Sequence, residues 1–267
     1  MSPVTDDVKR GIRQLRLIED RFLNGTLEPV AVRRSLQDII EDKSTPLITT
    51  PSWYGQVGAQ IEKASAFLEL HGGGQEGFRV SDIPAVPNFI PRTKTEVLLL
   101  AVYLPDKGRV KGFRRTFDAW WDFIVPPTGV TKWRWEELKS DSKHLRLAPG
   151  VKYAPGIRWV AFDPSTYRGK SPEGALAQSV NDGTTLAHTE VLMAAALFSG
   201  WVASWNGTDS PYPNLSGLQC YAITDWSRVP GLYYRWGDGL PQLRLNAYWD
   251  ESASASGSWS TPVVRGF

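Results

Sequence analysis

The stretch that decides the fold class is Gly231-Leu-Tyr-Tyr-Arg-Trp-Gly-Asp-Gly-Leu-Pro-Gln-Leu-Arg-Leu-Asn-Ala-Tyr-Trp249. Its centre, Trp236 to Gly239, joins two aromatic segments through a glycine-rich turn, which is a strong signal for a β-hairpin. Apolar and polar residues then alternate from Gln242 to Trp249, as they do in a strand with one buried face. The segments 218–224 and 259–264 have a similar composition, so we predict an antiparallel sheet in the C-terminal third.

Helical patterns precede this sheet. Apolar residues recur at helical spacing twice within residues 5–43, on either side of Asn24-Gly25, and this predicts an N-terminal helical hairpin. Four further helical segments are predicted, at 53–68, 116–124, 171–182 and 185–202. The last of them is apolar on most faces, so we expect it to be the central buried helix of the fold.

The middle of the chain mixes strands with helices. Residues 157–162 alternate and predict a strand, whereas the segment 94–104 has two interpretations. Thr93 and Glu96 fit a helix capping box, but the short apolar run that ends at Leu104 is typical of a buried strand, which we favour. The predicted fold class is therefore α+β.

The predicted organisation is a helical N-terminal region, 1–90, followed by an α+β domain, 91–267. One continuous domain is the alternative, because a chain of 267 residues can form one large domain or two small ones.

Composition excludes several classes of protein. Thirty Lys and Arg against 28 Asp and Glu leave a net charge of +2, which gives no indication of a polyanionic partner. Cys220 is the only cysteine, so an intrachain disulfide is excluded. The acidic N-terminus does not look like a signal peptide, and the apolar run Val191–Phe198 is shorter than the ~20 residues that a membrane span needs. We expect a soluble, cytoplasmic protein.

The basic sequence Arg168-Gly-Lys-Ser171 ends like a phosphate-binding loop. The full motif needs a glycine where this chain has Pro164, so no nucleotide or other cofactor is predicted. Arg168 and Lys170 still precede a predicted helix start, which favours anions. A solvated basic loop is the favoured interpretation, and an anion site is the alternative.

Three residues are candidates for acid–base chemistry. His188-Thr189-Glu190 matches half of a zinc deaminase motif, but the single cysteine cannot supply the other half, and no metal site is predicted. A hydrogen-bonded histidine beside an acid is the favoured interpretation of His188 and Glu190. Asp163 ends a predicted strand, where it could be a catalytic carboxylate, although a turn residue before proline is favoured.

Aromatic residues on the C-terminal strands form the best candidate binding surface. The chain has twelve Trp, and adjacent residues such as Tyr233 and Tyr234 must point to opposite sides of a strand. Tyr233, Trp236 and Tyr248 are therefore predicted to bind a sugar, a peptide or a partner protein. A sheet covered on both faces is the alternative.

A basic cluster at 107–115 followed by tryptophans raises the question of nucleic acid. Residues 106–146 hold ten basic and six acidic residues, a net excess of four, so a solvated loop is favoured and nucleic acid is not expected.

Four stretches carry a resemblance to other proteins. They are Pro91-Arg-Thr-Lys-Thr-Glu-Val-Leu-Leu-Leu-Ala-Val-Tyr-Leu-Pro-Asp-Lys-Gly108, Gly156-Ile-Arg-Trp-Val-Ala-Phe-Asp163, Glu190-Val-Leu-Met-Ala-Ala-Ala-Leu197 and Pro262-Val-Val-Arg265. Together they resemble a widespread set of uncharacterised proteins from small-genome candidate-phylum bacteria, over most of the chain. The resemblance implies a bacterial, non-secreted protein and carries no activity or site residue with it.

Two hypotheses of function follow. The favoured one is a non-catalytic binding or interaction protein that uses an aromatic face of the C-terminal sheet, with a protein or a small ligand as partner. The alternative is an enzyme acting on a phosphorylated or carboxylated substrate, with Arg168 and Lys170 holding the anion and Asp163, His188 or Glu190 as acid or base. The enzyme hypothesis requires these residues to meet in one cleft.

Overall fold

A computed structural model describes residues 51, 54–72, 77–138, 144–205, 212–222, 225–237, 240–249 and 258–266. The chain divides into two compact units, Met1–Thr49 and Thr50–Phe267, and all described residues belong to the second. The sequence suggests a division after residue 90 instead. The helical hairpin predicted for residues 5–43 lies outside the described residues.

The second unit contains both helices and sheets, which confirms the α+β class. Its described helices are α1 (Val57–His71), α2 (Gly112–Phe123), α3 (Pro172–Asp182), α4 (Glu190–Leu197) and α5 (Ser199–Ala203). Ser171 caps α3 by accepting a hydrogen bond from the Gly174 N–H at 3.1 Å, as the Ser-Pro-Glu start signal predicts. None of the described helices is long and apolar enough to cross a membrane.

The first sheet has four strands, β1 (Val97–Tyr103), β4 (Gly156–Asp163), β5 (Thr185–Leu186) and β11 (Val263–Arg265). Their order is β1-β4-β11-β5, and every neighbouring pair is antiparallel. The segment 94–104 therefore contains a strand, as favoured. All seven residues of β1 are buried, which explains why its sequence is an unbroken apolar run.

The second sheet has five strands, β2 (Thr131–Arg134), β3 (Leu145–Leu147), β7 (Leu218–Ala222), β8 (Asp225–Gly237) and β9 (Leu240–Trp249), in the order β2-β9-β8-β7-β3. The predicted hairpin is β8–β9, with Gly237 opposite Leu240. The sheet is mixed rather than purely antiparallel, because β2 pairs parallel to β9. It is also not confined to the C-terminal third, because β2 and β3 come from the middle of the chain.

Two of our predicted elements are wrong in detail. The helix predicted for 185–202 begins only at Glu190, because Thr185 and Leu186 pair with β11, and it is interrupted at Phe198, whose φ of −109° and ψ of 75° are not helical. The strand predicted for 259–264 is two strands. The first, β10 (Trp259–Ser260), pairs parallel with β6 (Tyr212–Pro213) in a short ribbon, and the second is β11.

Helix α4 is buried at all eight positions and packs against α1, α2 and β1. Its C-terminal end is capped from α1, because the Lys63 Nζ donates to the carbonyls of Ala196 and Leu197 at 3.1 Å each. A cation is favourable at this end of the helix dipole. The predicted central buried helix is thus present, over a shorter range.

The free edge of β1 is completed by side chains instead of another strand. Gln60 of α1 is fully buried; its Nε2 donates to the Leu98 carbonyl at 3.0 Å, and its Oε1 accepts from the Leu100 N–H at 3.0 Å. The amide group of Gln60 therefore takes the place of a peptide unit in a neighbouring strand. Buried backbone groups require such partners.

Helix α2 continues the same edge. Trp120 donates from Nε1 to the Val102 carbonyl at 3.0 Å, and Thr116 accepts from the Leu104 N–H at 2.8 Å. Two helices thus cover one strand edge through three side chains.

Candidate functional site

The second sheet has a buried face and a face turned away from the core. Leu232, Leu243 and Leu245 are fully buried, whereas the intervening Tyr233 and Arg244 are half-buried. The adjacent tyrosines separate as predicted, because Tyr234 is only 9 % exposed on the core side. We call the second face the outer face. Its described part includes two cross-strand rows, Trp133–Arg244–Tyr233 and Thr131–Gln242–Arg235.

Arg244 is held in place on the outer face. Its guanidinium lies over the Trp133 ring, 4.8 Å from the centroid, and its Nε donates to the Gln242 Oε1 at 2.7 Å. Trp133 comes from β2 and Gln242 from the same strand as the arginine, so the parallel β2–β9 pair builds this site. We call these three residues the Arg244 cluster.

A second arginine on the outer face is held in the same way. Arg146 of β3 lies over the Trp226 ring, 4.2 Å from the centroid, and its Nε and Nη2 donate to the Gln219 Oε1 at 3.1 and 2.8 Å. A β-bulge places Trp226 there, since two residues of β8 lie opposite Tyr221 alone. We call Arg146, Trp226 and Gln219 the Arg146 cluster.

The ribbon β6–β10 adds aromatic rings to the outer face. Tyr212, Tyr233 and Trp259 are half-buried and in mutual contact, with ring centroids 5.6 to 6.1 Å apart. Gly231 allows the ribbon this close approach, because a Cβ at that position would lie 2.9 Å from the Trp259 ring.

Two of the predicted binding residues cannot be placed on this face. Trp236 pairs with Pro241 and Tyr248 with Val229 in the β8–β9 register. Their side chains lie outside the described part of the structure. Of the three binding residues predicted on the C-terminal strands, Tyr233 alone has a described side chain, and it lies on the outer face.

His188 and Glu190 do come together, but inside the protein. They are 3 % and 2 % exposed, and the Glu190 carboxylate accepts from the Tyr103 hydroxyl at 2.6 Å and from the His188 backbone N–H at 2.7 Å. Burial, reinforced by Glu190, raises the pKa of Tyr103 well above its usual value, so the phenol stays protonated and donates. The carboxylate is thus fully engaged by the protein itself.

His188 is a neutral histidine in this network. Burial lowers its pKa, although Glu190 opposes the shift. Its Nδ1 accepts the Thr189 N–H at 2.7 Å, so the ring proton belongs on Nε2. The 3.4 Å contact between Nδ1 and the Glu190 carboxylate is therefore not an ion pair. This arrangement matches the favoured interpretation, a hydrogen-bonded histidine beside an acid.

Asp163 has a different set of partners. Its carboxylate accepts from the Thr93 hydroxyl at 2.6 Å, the Thr95 hydroxyl at 2.7 Å and the Ser165 N–H at 2.9 Å, and it is 3 % exposed. The Ser165 contact is that of a turn residue, and Thr93 and Thr95 bind the carboxylate from a distant part of the sequence. Asp163 and Gly156 lie at opposite ends of β4, roughly 20 Å apart at ~3.3 Å per residue. Gly156 pairs with Tyr103, which belongs to the buried network of His188 and Glu190.

Arg168 and Lys170 lie on an exposed loop before α3. Lys170 donates to the Gln178 side chain and lies 5.9 Å from the Tyr167 ring centroid, which is the arrangement of a solvated basic loop. The residues of the enzyme hypothesis therefore divide among a buried network, a closed turn and an exposed loop.

One cavity was not foreseen from the sequence. It has a volume of about 340 Å³ and lies beside α2, with titratable residues in its wall: His71, Lys107, Arg115, Asp118 and Asp122. Several of these charges are already used, since Asp118 pairs with Arg134 at 2.5 Å and Arg115 donates to the Pro105 carbonyl. Asp118 and Arg115 are therefore less available to a ligand than the arginines of the outer face, and the outer face is the stronger candidate site.

Sequence reasoning missed the residues that hold the arginines of the outer face. Trp133 lies in the four-residue strand β2, and Gln219 and Gln242 are polar residues without any motif. The alternation of Thr131 and Trp133 with Lys132 and Arg134 is the only local signal. Lys132 confirms that pattern, since its Nζ donates to three carbonyls at the C-terminal end of α2 while Trp133 faces the other way.

No group of three or more potential metal ligands occurs among the residues that the structure describes. Comparison of the chain with protein-family models, curated proteins and solved structures finds no match.

Proposed function

We propose that this protein is a non-catalytic binding protein whose outer face, on the second sheet, holds its partner. The observation that carries the proposal is the Arg244 cluster, in which a half-buried arginine is fixed by a tryptophan ring and a glutamine carbonyl. An arginine fixed before its ligand arrives loses less conformational entropy on binding.

Two further observations support the outer face. The same construction recurs at Arg146, which is not expected of side chains that only cover a sheet. Aromatic residues and arginine are also the types enriched where protein surfaces bind partners. Such aromatic residues are present beside Arg244, namely Tyr212, Tyr233 and Trp259.

The proposal is tested by site-specific photo-cross-linking in the source cell. A photoreactive phenylalanine derivative replaces Thr131, an exposed outer-face residue next to the Arg244 cluster. The matched control carries it at Val180, which is 75 % exposed on α3. We expect adducts from position 131 and not from position 180.

The same experiment includes Arg244→Gln. Because a hydrogen bond to a charged group contributes about 1.5–3 kcal/mol, the adducts from position 131 should fall about tenfold or more in this variant. Equal adducts from positions 131 and 180, or adducts that Arg244→Gln leaves unchanged, would show that the outer face is not the binding surface.

A further inference from the structure

We infer that the partner at the outer face is an extended acidic protein segment that places carboxylates at both Arg244 and Arg146. This inference rests on the proposed function and adds the chemistry of the ligand. It follows from which edge of each guanidinium is already occupied, which ring faces are covered, and how far apart the two clusters lie.

Each arginine presents the same edge to a ligand. The glutamine of the cluster takes the Nε of Arg244, and it takes the Nε and one Nη2 proton of Arg146. The Nη1–Nη2 edge is the one that points away from this contact. That edge matches the two oxygens of a carboxylate in a bidentate pair, which a lysine ammonium cannot reproduce.

The charges of the outer face favour an acidic partner. Its described strand positions hold Arg146, Arg235 and Arg244, and none of the described side chains in these positions is a carboxylate. Arg146 and Arg235 are exposed and can attract an anion from solution.

The aromatic residues favour a peptide over single-stranded nucleic acid. Bases bind such sheets by stacking on open ring faces. Here Arg244 lies over Trp133, and Arg146 lies over Trp226. Tyr233 makes an edge contact with Tyr212 and a tilted contact with Trp259, so these rings form a cluster rather than parallel platforms.

The spacing of the two arginines sets the length of the segment. Both sites can be located along β8. Arg244 of β9 pairs with Tyr233 of β8. Gln219 of the Arg146 cluster lies one residue from Cys220, which pairs with Arg228 of β8. The sites are thus three strands apart and about four residues apart along β8, roughly 20 Å in all at ~4.8 Å per strand and ~3.3 Å per residue. An extended segment of about six residues covers this distance.

The test measures fluorescence anisotropy with two labelled peptides and the full-length chain. One peptide carries Glu pairs separated by six Gly/Ser residues, and the other carries the same four Glu together at one end. We expect the spaced peptide to bind at least fivefold more tightly. Arg244→Gln and Arg146→Gln should each weaken its binding about tenfold, and Arg244→Lys should weaken it nearly as much. Arg109→Gln, which removes an exposed arginine from the loop between β1 and α2, should change it less than twofold.

Three outcomes would overturn the inference. They are equal binding of the spaced and clustered peptides, binding that is insensitive to both arginines, and tighter, Arg244-dependent binding of labelled oligothymidine. Cross-linking from position 131 separates these failures from failure of the proposed function. Adducts from position 131 with a non-acidic partner would retain the outer face and reject only the ligand class. Cooperative thermal unfolding of the variants establishes that they are folded.

Discussion

At the edge of the first sheet, polar side chains of the neighbouring helices complete the backbone hydrogen bonds of a buried strand, as Gln60 of α1 does for β1. In the second sheet, polar side chains of the outer face bind one another beside solvent, as Gln242 and Arg244 do. In both places a glutamine side-chain carbonyl accepts a hydrogen bond from an N–H group, but the consequences differ. Inside, it makes burial possible; outside, it fixes a charge where a partner can reach it.

The comparison predicts that the polar residues closing the edge of the first sheet affect stability most. Gln60→Leu leaves the Leu98 carbonyl and the Leu100 N–H buried without partners, at about 1–3 kcal/mol each. We expect the free energy of unfolding in urea to fall by about 2–5 kcal/mol.

The matched control for this prediction is Gln56→Leu. Gln56 is exposed at the start of α1, and its side chain makes no capping hydrogen bond, so the same substitution should change the free energy of unfolding by less than about 0.5 kcal/mol. Similar effects of the two substitutions would contradict the role of Gln60 at the strand edge.

A smaller loss is expected where one hydrogen bond of the buried network is removed. Tyr103→Phe keeps the ring but removes the hydroxyl that donates to Glu190, and a hydrogen bond to a charged group contributes about 1.5–3 kcal/mol. Chemical denaturation should show a loss in this range. Tyr221→Phe, at a half-buried tyrosine of the second sheet, serves as the control and should be nearly neutral.

The buried network also predicts a dependence on pH. The pKa of His188 is lower in the folded protein than its ordinary value of about 6.5, so below that pH the unfolded chain binds more protons than the folded one. Stability should therefore fall as the pH is lowered through 6.5. Burial lowers the pKa of His71 in the same direction, so two histidines contribute.

Two variants separate the contributions to this pH profile. His188→Gln and His71→Gln should each remove part of the loss of stability between about pH 7 and pH 5, because burial lowers the pKa of both histidines. Thermal unfolding at several pH values measures both. A profile that His188→Gln does not alter would place the acid sensitivity elsewhere.

The smallest effect on stability is expected on the outer face. Arg244→Gln removes a cation–π contact and the hydrogen bond to Gln242 at an arginine that water can reach. Water can replace the hydrogen bond, and a cation–π contact near the surface contributes about 0.5–1 kcal/mol. Its unfolding free energy should fall by less than about 1 kcal/mol, while the adducts from position 131 fall about tenfold or more. A loss of stability as large as that of Gln60→Leu would assign Arg244 a structural role instead.

Elements with a strong local pattern could be predicted from the sequence. The β8–β9 hairpin was identified from its glycine turn and the alternation around Arg244, and β1 from its apolar run, because each pattern lies within one segment. Three features could not be predicted from the sequence, because they depend on pairing with strands that are distant in the chain: β2, β5 and the bulge at Trp226. Thr131 pairs with Gln242, and Thr185 with Val264.

The candidate site divides in the same way. Tyr233 can be predicted to lie on the outer face because adjacent residues of one strand point to opposite sides. Trp133 and Gln219, which fix the two arginines, become relevant only through neighbours supplied by other segments. The network of His188 and Glu190 shows the reverse case, since two nearby polar residues suggested catalysis and their surroundings turned out to be core.

The closed edge of β1 has a consequence for how the protein associates with other chains. An exposed strand edge is a template on which a foreign strand can add, and it is a common origin of aggregation. At β1 the Leu98 carbonyl, the Leu100 N–H and the Val102 carbonyl, which such a strand would use, are already bound by Gln60 and Trp120, and Thr116 binds the next N–H, that of Leu104. These side chains therefore oppose the addition of a partner strand at this edge. They also protect the all-apolar strand β1 from self-assembly.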